Sequence, residues 1–139
     1  MANAWYKKGK EKFANGEISW GSDDIKAVGV DTTTSPTYTF DDDADEYLSV
    51  IPAALRLATS ANLASKTYAL GVLDAADTDL VAVPAGEVVR AVVVYKDSGD
   101  PATSPLLLYL DTGAGLPFTG TGANAHVQWD NGANKMGVL

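Results

Sequence analysis

The side chains that most often carry catalysis or bind transition metals are scarce in this sequence. It contains one histidine, His126, and no cysteine. A zinc site would have to depend on carboxylates, which is uncommon. A hydrolase that used His126 with a nearby aspartate would also need a nucleophile, and the sequence has no nucleophile elbow, P-loop or dinucleotide-binding motif. We therefore predict that the protein is not an enzyme and has no cofactor.

Two acidic clusters, residues 41–46 and 74–79, contain carboxylates of the kind that bind calcium through oxygen. Neither follows the twelve-residue EF-hand pattern. Aspartate is also frequent in turns, because its carboxylate accepts hydrogen bonds from the nearby backbone, and we favour turns without a metal. The first cluster is also a candidate counterpart for the lysines of residues 7–12, within the chain or across a subunit boundary. The weak candidates for metal ligands are Asp41, Asp42, Asp43 and Asp45.

The net charge of −8 is unevenly distributed. Residues 1–12 carry four lysines and one glutamate, whereas the rest of the chain carries 17 acidic and six basic residues. The acidic body is expected to repel nucleic acid and anionic membranes. We divide the chain into a basic aromatic N-terminal segment, residues 1–16, and one β-rich domain, residues 17–139. The candidate partner-binding residues are Trp5, Tyr6, Lys7, Lys8, Lys10, Lys12 and Phe13.

The N-terminal segment is predicted to be an arm or a helix over residues 3–15, with Asn3 as its N-cap. Short alternating or β-branched runs follow, separated by turns rich in glycine, proline and aspartate. The clearest lie at residues 25–30, 87–95 and 105–111. We predict a mainly β fold, an antiparallel β-sandwich or barrel resembling a jelly roll, with a short N-terminal helix.

Two further predictions concern strand pairing. Tyr68, Leu70 and Val72 alternate with other residues, which indicates an extended strand. Asp130-Asn131-Gly132 is a strong hairpin signal and predicts that the strands on either side of it pair with each other.

The length of 139 residues fits one compact domain. The longest apolar runs are too short to span a bilayer, and no apolar signal-peptide core follows the initial methionine. We therefore expect synthesis in the cytoplasm and no membrane partner.

Several motifs resemble those of small proteins from tailed-bacteriophage particles, of the capsid decoration (cement) type, and the resemblance extends over nearly the whole chain. The motifs include Ala4-Trp5-Tyr6-Lys7-Lys8-Gly9-Lys10-Glu11-Lys12-Phe13, Gly16-Glu17-Ile18-Ser19-Trp20, Tyr47-Leu48-Ser49, Tyr95-Lys96-Asp97-Ser98-Gly99 and Trp129-Asp130-Asn131-Gly132.

The resemblance implies a protein that binds the major capsid protein and stabilises its lattice on the capsid exterior of the virion. It also implies a homo-oligomer, with a trimer favoured. Two alternatives stay open. One is a tail or neck structural protein of the same class of phage. The other is a carbohydrate-binding β-sandwich, in which exposed aromatic rings would stack on sugars, although aromatic residues more often anchor cores and interfaces.

Overall fold

The computed structural model describes residues 3–113, 115–130, 132 and 135–139. Within these residues the only α-helix, α1, spans Lys7–Ala14. Short 3-10 helices lie at Leu48–Val50, Ala53–Leu55, Ala69–Gly71 and Pro101–Thr103. The β-strands are β1 (Ala4–Trp5), β2 (Ile25–Val30), β3 (Arg56–Thr59), β4 (Val72–Leu73), β5 (Thr78–Leu80), β6 (Val88–Val89), β7 (Ala91–Lys96), β8 (Leu106–Leu110), β9 (Phe118–Thr119), β10 (Ala125–Val127) and β11 (Gly137–Val138).

A five-stranded antiparallel sheet forms the centre of the domain, in the order β1-β8-β7-β2-β3. Strands β2 and β7 are its longest pair, aligned from Ile25 opposite Lys96 to Val30 opposite Ala91. Their β-branched residues fit a pleated surface, and most of them are buried because both faces of the sheet are covered. The predicted mainly β fold with a short N-terminal helix is confirmed.

The two faces of the sheet support two separate hydrophobic cores. On the first face, side chains such as Ala27 and Val94 pack against residues from three two-stranded ribbons, β4–β11, β5–β10 and β6–β9. On the second face, side chains such as Val28 and Val93 pack against residues from the irregular segment 31–55. Strand residues alternate between the two cores, as the pleat requires. No helix among the described residues has the length and apolar character needed to cross a bilayer.

The N-terminal segment differs from its prediction. The helix begins at Lys7 rather than near Asn3, and the preceding residues form β1, in which Ala4 lies opposite Tyr109 of β8. Asn3 does not cap the helix. Its side-chain oxygen accepts hydrogen bonds from the backbone N–H groups of Asp111 and Thr112, at 3.0 Å each. Residues 3–14 are therefore an integral part of the domain and not a separate arm.

The predicted C-terminal hairpin is wrong in its pairing. Strand β10 pairs with β5, and β11 pairs with β4. The two flanking strands thus belong to different ribbons. Asn131, the centre of the hairpin signal, lies outside the described residues. The residues of the turn favour a hairpin locally. In the structure, Trp129 and Met136, on either side of the turn, are both buried in the first core, and the strands next to them pair with β5 and β4.

Helix α1 lies directly on strand β8, and Gly9 makes this close approach possible. A Cβ atom on Gly9 would overlap the backbone carbonyl oxygen of Leu106. Because backbone atoms cannot rotate away as a side chain can, any larger residue must push the helix off the sheet.

We expect Gly9→Val to lower the free energy of unfolding by roughly 1–3 kcal/mol, as overpacking does in other cores. Ala14→Val is the matched control, since Ala14 is an exposed residue of the same helix and its change should stay within about 0.5 kcal/mol. Urea denaturation followed by tryptophan fluorescence measures both. Equal stability of the two variants would contradict the close contact between helix and strand.

Candidate interaction surfaces

The seven candidate partner-binding residues of the N-terminal segment have different surroundings. Tyr6 is completely buried, and Lys12 is nearly so. Trp5 and Phe13 are half-buried and pack edge to face, with ring centroids 6.0 Å apart. The side chain of Tyr6 therefore belongs to the protein's own core and is not exposed to a partner. The interface role of the remaining candidates stays a prediction.

A buried chain of hydrogen bonds holds Tyr6 in place. Its hydroxyl lies 2.8 Å from the hydroxyl of Tyr38, which donates to Asp45 at 2.5 Å. Burial raises the pKa of both tyrosines well above the ordinary range, so both hydroxyls stay protonated. Phe40 and Tyr109 stack beside them, with ring centroids 4.6 Å apart. This cluster connects the N-terminal segment to the loop that contains Asp45.

Two of the four lysines bind that loop, residues 41–46, which we call the acidic loop. Lys7 lies 2.6 Å from Asp43 and 3.2 Å from Asp42. Lys12 lies 2.9 Å from Glu46, and this contact raises the pKa of Lys12 above its ordinary value. The prediction that residues 41–46 are the counterpart of the lysines is confirmed for Lys7 and Lys12, within one chain.

The other two lysines form no ion pair with these carboxylates, although Lys8, after Lys12, helps to lower the pKa of Glu46. Neither Lys8 nor Lys10 forms an ion pair with a described residue; Lys10 instead lies over the ring of Trp5, 5.8 Å from its centroid. Helix α1 thus keeps two positive charges available on a segment that is fixed against the sheet. The sequence alone could not separate these two lysines from the two that are neutralised.

The aspartates of the acidic loop accept hydrogen bonds from the backbone of the loop itself. The carboxylate of Asp41 accepts hydrogen bonds from the backbone N–H groups of Asp43 and Ala44, at 3.1 and 3.0 Å. Asp45 accepts one from the N–H of Asp41. These contacts confirm the predicted turn role. Among the described residues no group of three or more acidic or histidine side chains is arranged to hold a metal ion.

His126 lies on the exposed face of the β5–β10 ribbon. Its Nδ1 atom is 2.9 Å from a carboxylate oxygen of Asp79, and its Nε2 atom is 3.8 Å from Asp77. In a catalytic triad the second ring nitrogen would bind a nucleophile. Here it lies nearest a second carboxylate, so the arrangement suits a surface residue held between two aspartates.

An open groove of about 1050 Å³ lies between strand β1 and the C-terminal strands. We call it the apolar groove. Its apolar lining includes the side chains of Trp5, Leu108, Leu110, Phe118 and Met136. Polar residues, among them Gln128 and Asp130, line it as well. Sequence reasoning missed this surface because its residues come from both ends of the chain.

The segment predicted to be a strand around Leu70 is instead an exposed turn. Leu70 has φ +53° and is fully exposed, and Gly71 follows with φ +77°. A leucine in this left-handed conformation costs about 1–2 kcal/mol. Tyr68 is 65% exposed beside it. We call the side chains of Tyr68 and Leu70 the apolar tip. The alternating pattern predicted an extended chain, whereas the backbone turns at Leu70-Gly71 and only Val72 lies in a strand.

No protein-family model matches this chain, and no curated protein matches it at a significant level. The phage resemblance therefore stays a prediction. Function has to be argued from that resemblance and from the surfaces described above.

The ion pairs give the stability of this protein a defined pH dependence. Lys12 beside Glu46 lowers the pKa of that carboxyl, and Lys26 beside Asp97 does the same for Asp97. A carboxyl with a lowered pKa stabilises the folded state above its ordinary pKa, and this contribution is lost as the pH falls through the folded value.

We expect the free energy of unfolding to fall between about pH 5 and pH 2, and Glu46→Gln to make that fall shallower. Glu87→Gln is the control, since Glu87 is exposed and its side chain forms no ion pair with the described residues. Urea denaturation at several pH values provides the measurement. The role of the Lys12–Glu46 pair is refuted if both variants follow the wild-type curve.

Proposed function

We propose that this protein is a decoration protein of a tailed-bacteriophage head, which binds the major capsid protein lattice from outside and stabilises it. The motif resemblance over nearly the whole chain supports this assignment. The structural observation that supports it best is the basic helix α1, which is fixed on the sheet and carries Lys8 and Lys10 without ion-pair partners among the described residues.

In this proposal helix α1 faces the capsid. Lys7 and Lys12 are already bound to the acidic loop, so Lys8 and Lys10 supply the charge for an acidic patch on the lattice. Trp5, half-buried beneath Lys10, is the apolar neighbour of this contact. The acidic body then faces away from the lattice, where its charge keeps decorated particles apart in solution.

A decoration protein does not need a strong individual contact. Exposed ion pairs contribute only about 0.2–1 kcal/mol each. A capsid presents the same site many times, and an oligomeric decoration protein engages several sites at once, so modest contacts add up through effective concentration. Because Lys10 is exposed and Lys8 is partly exposed, salt should weaken the binding.

The test is to mix the purified protein with heads that lack it and to measure the bound fraction by sedimentation. We expect wild-type protein to bind in a fixed ratio to the capsid protein. Lys8→Gln/Lys10→Gln should lower the affinity by about twofold to thirtyfold, the range that two surface ion pairs provide.

A double variant outside the helix, Ala85→Glu/Thr121→Glu, is the matched control. Both positions are exposed, and both double variants make the net charge more negative by two, so the comparison separates the helix surface from total charge. Equal binding by the two variants would argue against helix α1 as the contact. Wild-type protein that leaves heads bare, or that microscopy places on the tail or neck, would refute the decoration role and favour the alternative phage assignment.

A further inference from the structure

We propose that a second cavity of the protein binds a small hydroxycarboxylic acid, with Arg56 as the partner of the ligand's carboxylate. This inference does not depend on capsid binding. The cavity has a volume of about 360 Å³ and is open to solvent on the second face of the central sheet. We call it the polar cavity. Its volume lies at the lower end of the range for small-molecule sites, roughly 300–1000 Å³.

The polar cavity is built on the central sheet. Val28 of β2 and Tyr95 of β7, both buried, form its floor. Arg56 and Thr59 of β3 line one side, and Thr59 lies opposite Val28 in the strand register. The two 3-10 helices before β3 and the loop of residues 97–104 contribute the rest of the wall. The floor therefore belongs to the longest strand pair, and only the rim belongs to loops.

Arg56 contributes a positive charge to the wall of the polar cavity. Its Nε atom donates to the backbone carbonyl of Ile51 at 3.1 Å, which holds the guanidinium in place. Its two terminal nitrogen atoms form no ion pair or hydrogen bond with a described residue. A guanidinium presents such N–H groups as a fork that matches the two oxygens of a carboxylate. A fixed carboxylate-binding group is thus left without a partner within the described chain.

Asp97 also lines the polar cavity, but its charge is already paired. The Nζ atom of Lys26 lies 2.6 Å from its carboxylate. A ligand with one negative charge beside Arg56 therefore meets a balanced neighbour. A doubly charged phosphate would be repelled more strongly by the carboxylate of Asp97, so the charges favour a carboxylate as the ligand group.

Hydroxyl groups supply further polar surface in the polar cavity. Burial raises the pKa of Tyr95, and the hydroxyl of Thr59 and the charge of Arg56 act against this rise. These groups therefore lie together around the phenol oxygen. Hydroxyls both donate and accept hydrogen bonds, and the carboxylate of Asp97 accepts them, so the hydroxyl groups of a ligand find partners beside Arg56. A carboxylate on a hydroxylated carbon chain matches this wall.

The test compares D-gluconate, which has a carboxylate on a polyhydroxylated chain, with D-sorbitol, in which a hydroxymethyl group replaces that carboxylate. Each is titrated to about 50 mM, a range that covers a millimolar site, into isotope-labelled protein at constant ionic strength. Amide signals are followed by NMR. We expect gluconate to shift the signals of Thr59, Asp97 and Gly99 in a saturable manner, sorbitol to leave them in place, and inorganic phosphate to bind more weakly than gluconate.

Two variants test the wall of the polar cavity. Arg56→Gln should weaken gluconate binding by at least about tenfold, because hydrogen bonds to a charged group are lost. Lys135→Gln is the matched control, since Lys135 is exposed, lies outside the polar cavity and changes the net charge equally. It should leave the affinity unchanged. Thr59→Val removes an exposed hydroxyl and should weaken binding about twofold to tenfold.

Circular dichroism verifies the fold of each variant. The proposal is overturned if gluconate leaves the cavity signals unchanged, if sorbitol or phosphate binds as tightly as gluconate, or if folded Arg56→Gln protein binds like the Lys135→Gln control. Should Arg56→Gln fail to fold, unchanged binding by Thr59→Val overturns it instead. Gluconate binding is measured without capsids, so the decoration role and this proposal can fail separately.

Discussion

Tyr6 lies where the sheet, the helix and the acidic loop meet, and water does not reach its hydroxyl. Burying this hydroxyl without a hydrogen-bond partner would lower the free energy of unfolding by roughly 1–3 kcal/mol. The hydrogen bond between Tyr6 and Tyr38 therefore fixes the positions of both side chains. Tyr38 is in turn bound to Asp45. This fixes the acidic loop beside α1, so that Lys7 near the start of the helix reaches Asp43 and Lys12 near its end reaches Glu46.

The same constraint determines which charges the surface presents. An arm that moved freely would offer its four lysines alike. In this structure β1, Tyr6 and Gly9 hold the segment against β8, and two lysines are used internally. In the proposed capsid contact, the two remaining lysines stand on a fixed backbone, so that binding would order their side chains but not the main chain. The acidic loop contributes to this surface indirectly, by pairing with Lys7 and Lys12 and holding the helix in place.

The local sequence pattern was sufficient to predict two of the central strands of the fold. Residues 25–30 and 105–111 read as strands because β-branched and apolar residues fit two buried faces, and both strands are observed. The short helix was also recognisable, although its start was not, because pairing of Ala4 with β8 depends on residues more than a hundred positions away. The pairing of β10 and β11 failed for the same reason, since the local turn signal gave no information on distant partners.

The candidate surfaces were less predictable than the fold. The basic and aromatic residues near the N-terminus were visible in the sequence, but the burial of Tyr6 and Lys12 was not. The contact of the lysines with residues 41–46 was anticipated from opposite charge alone. Periodicity placed Leu70 in a strand because a pattern of side chains does not report the sign of φ. The apolar groove could not be predicted from the sequence, because it forms only where residues from both ends of the chain come together in the fold.

The length of β1 has a further consequence. It is the edge strand of the central sheet, and it contains two residues before α1 begins. An edge strand exposes backbone groups that another sheet can extend, and long, flat edges promote open-ended aggregation. At this edge the helix replaces the continuation of the strand, so few backbone groups are offered. The short β1 therefore limits how far this edge of the sheet can be extended by a strand of another molecule.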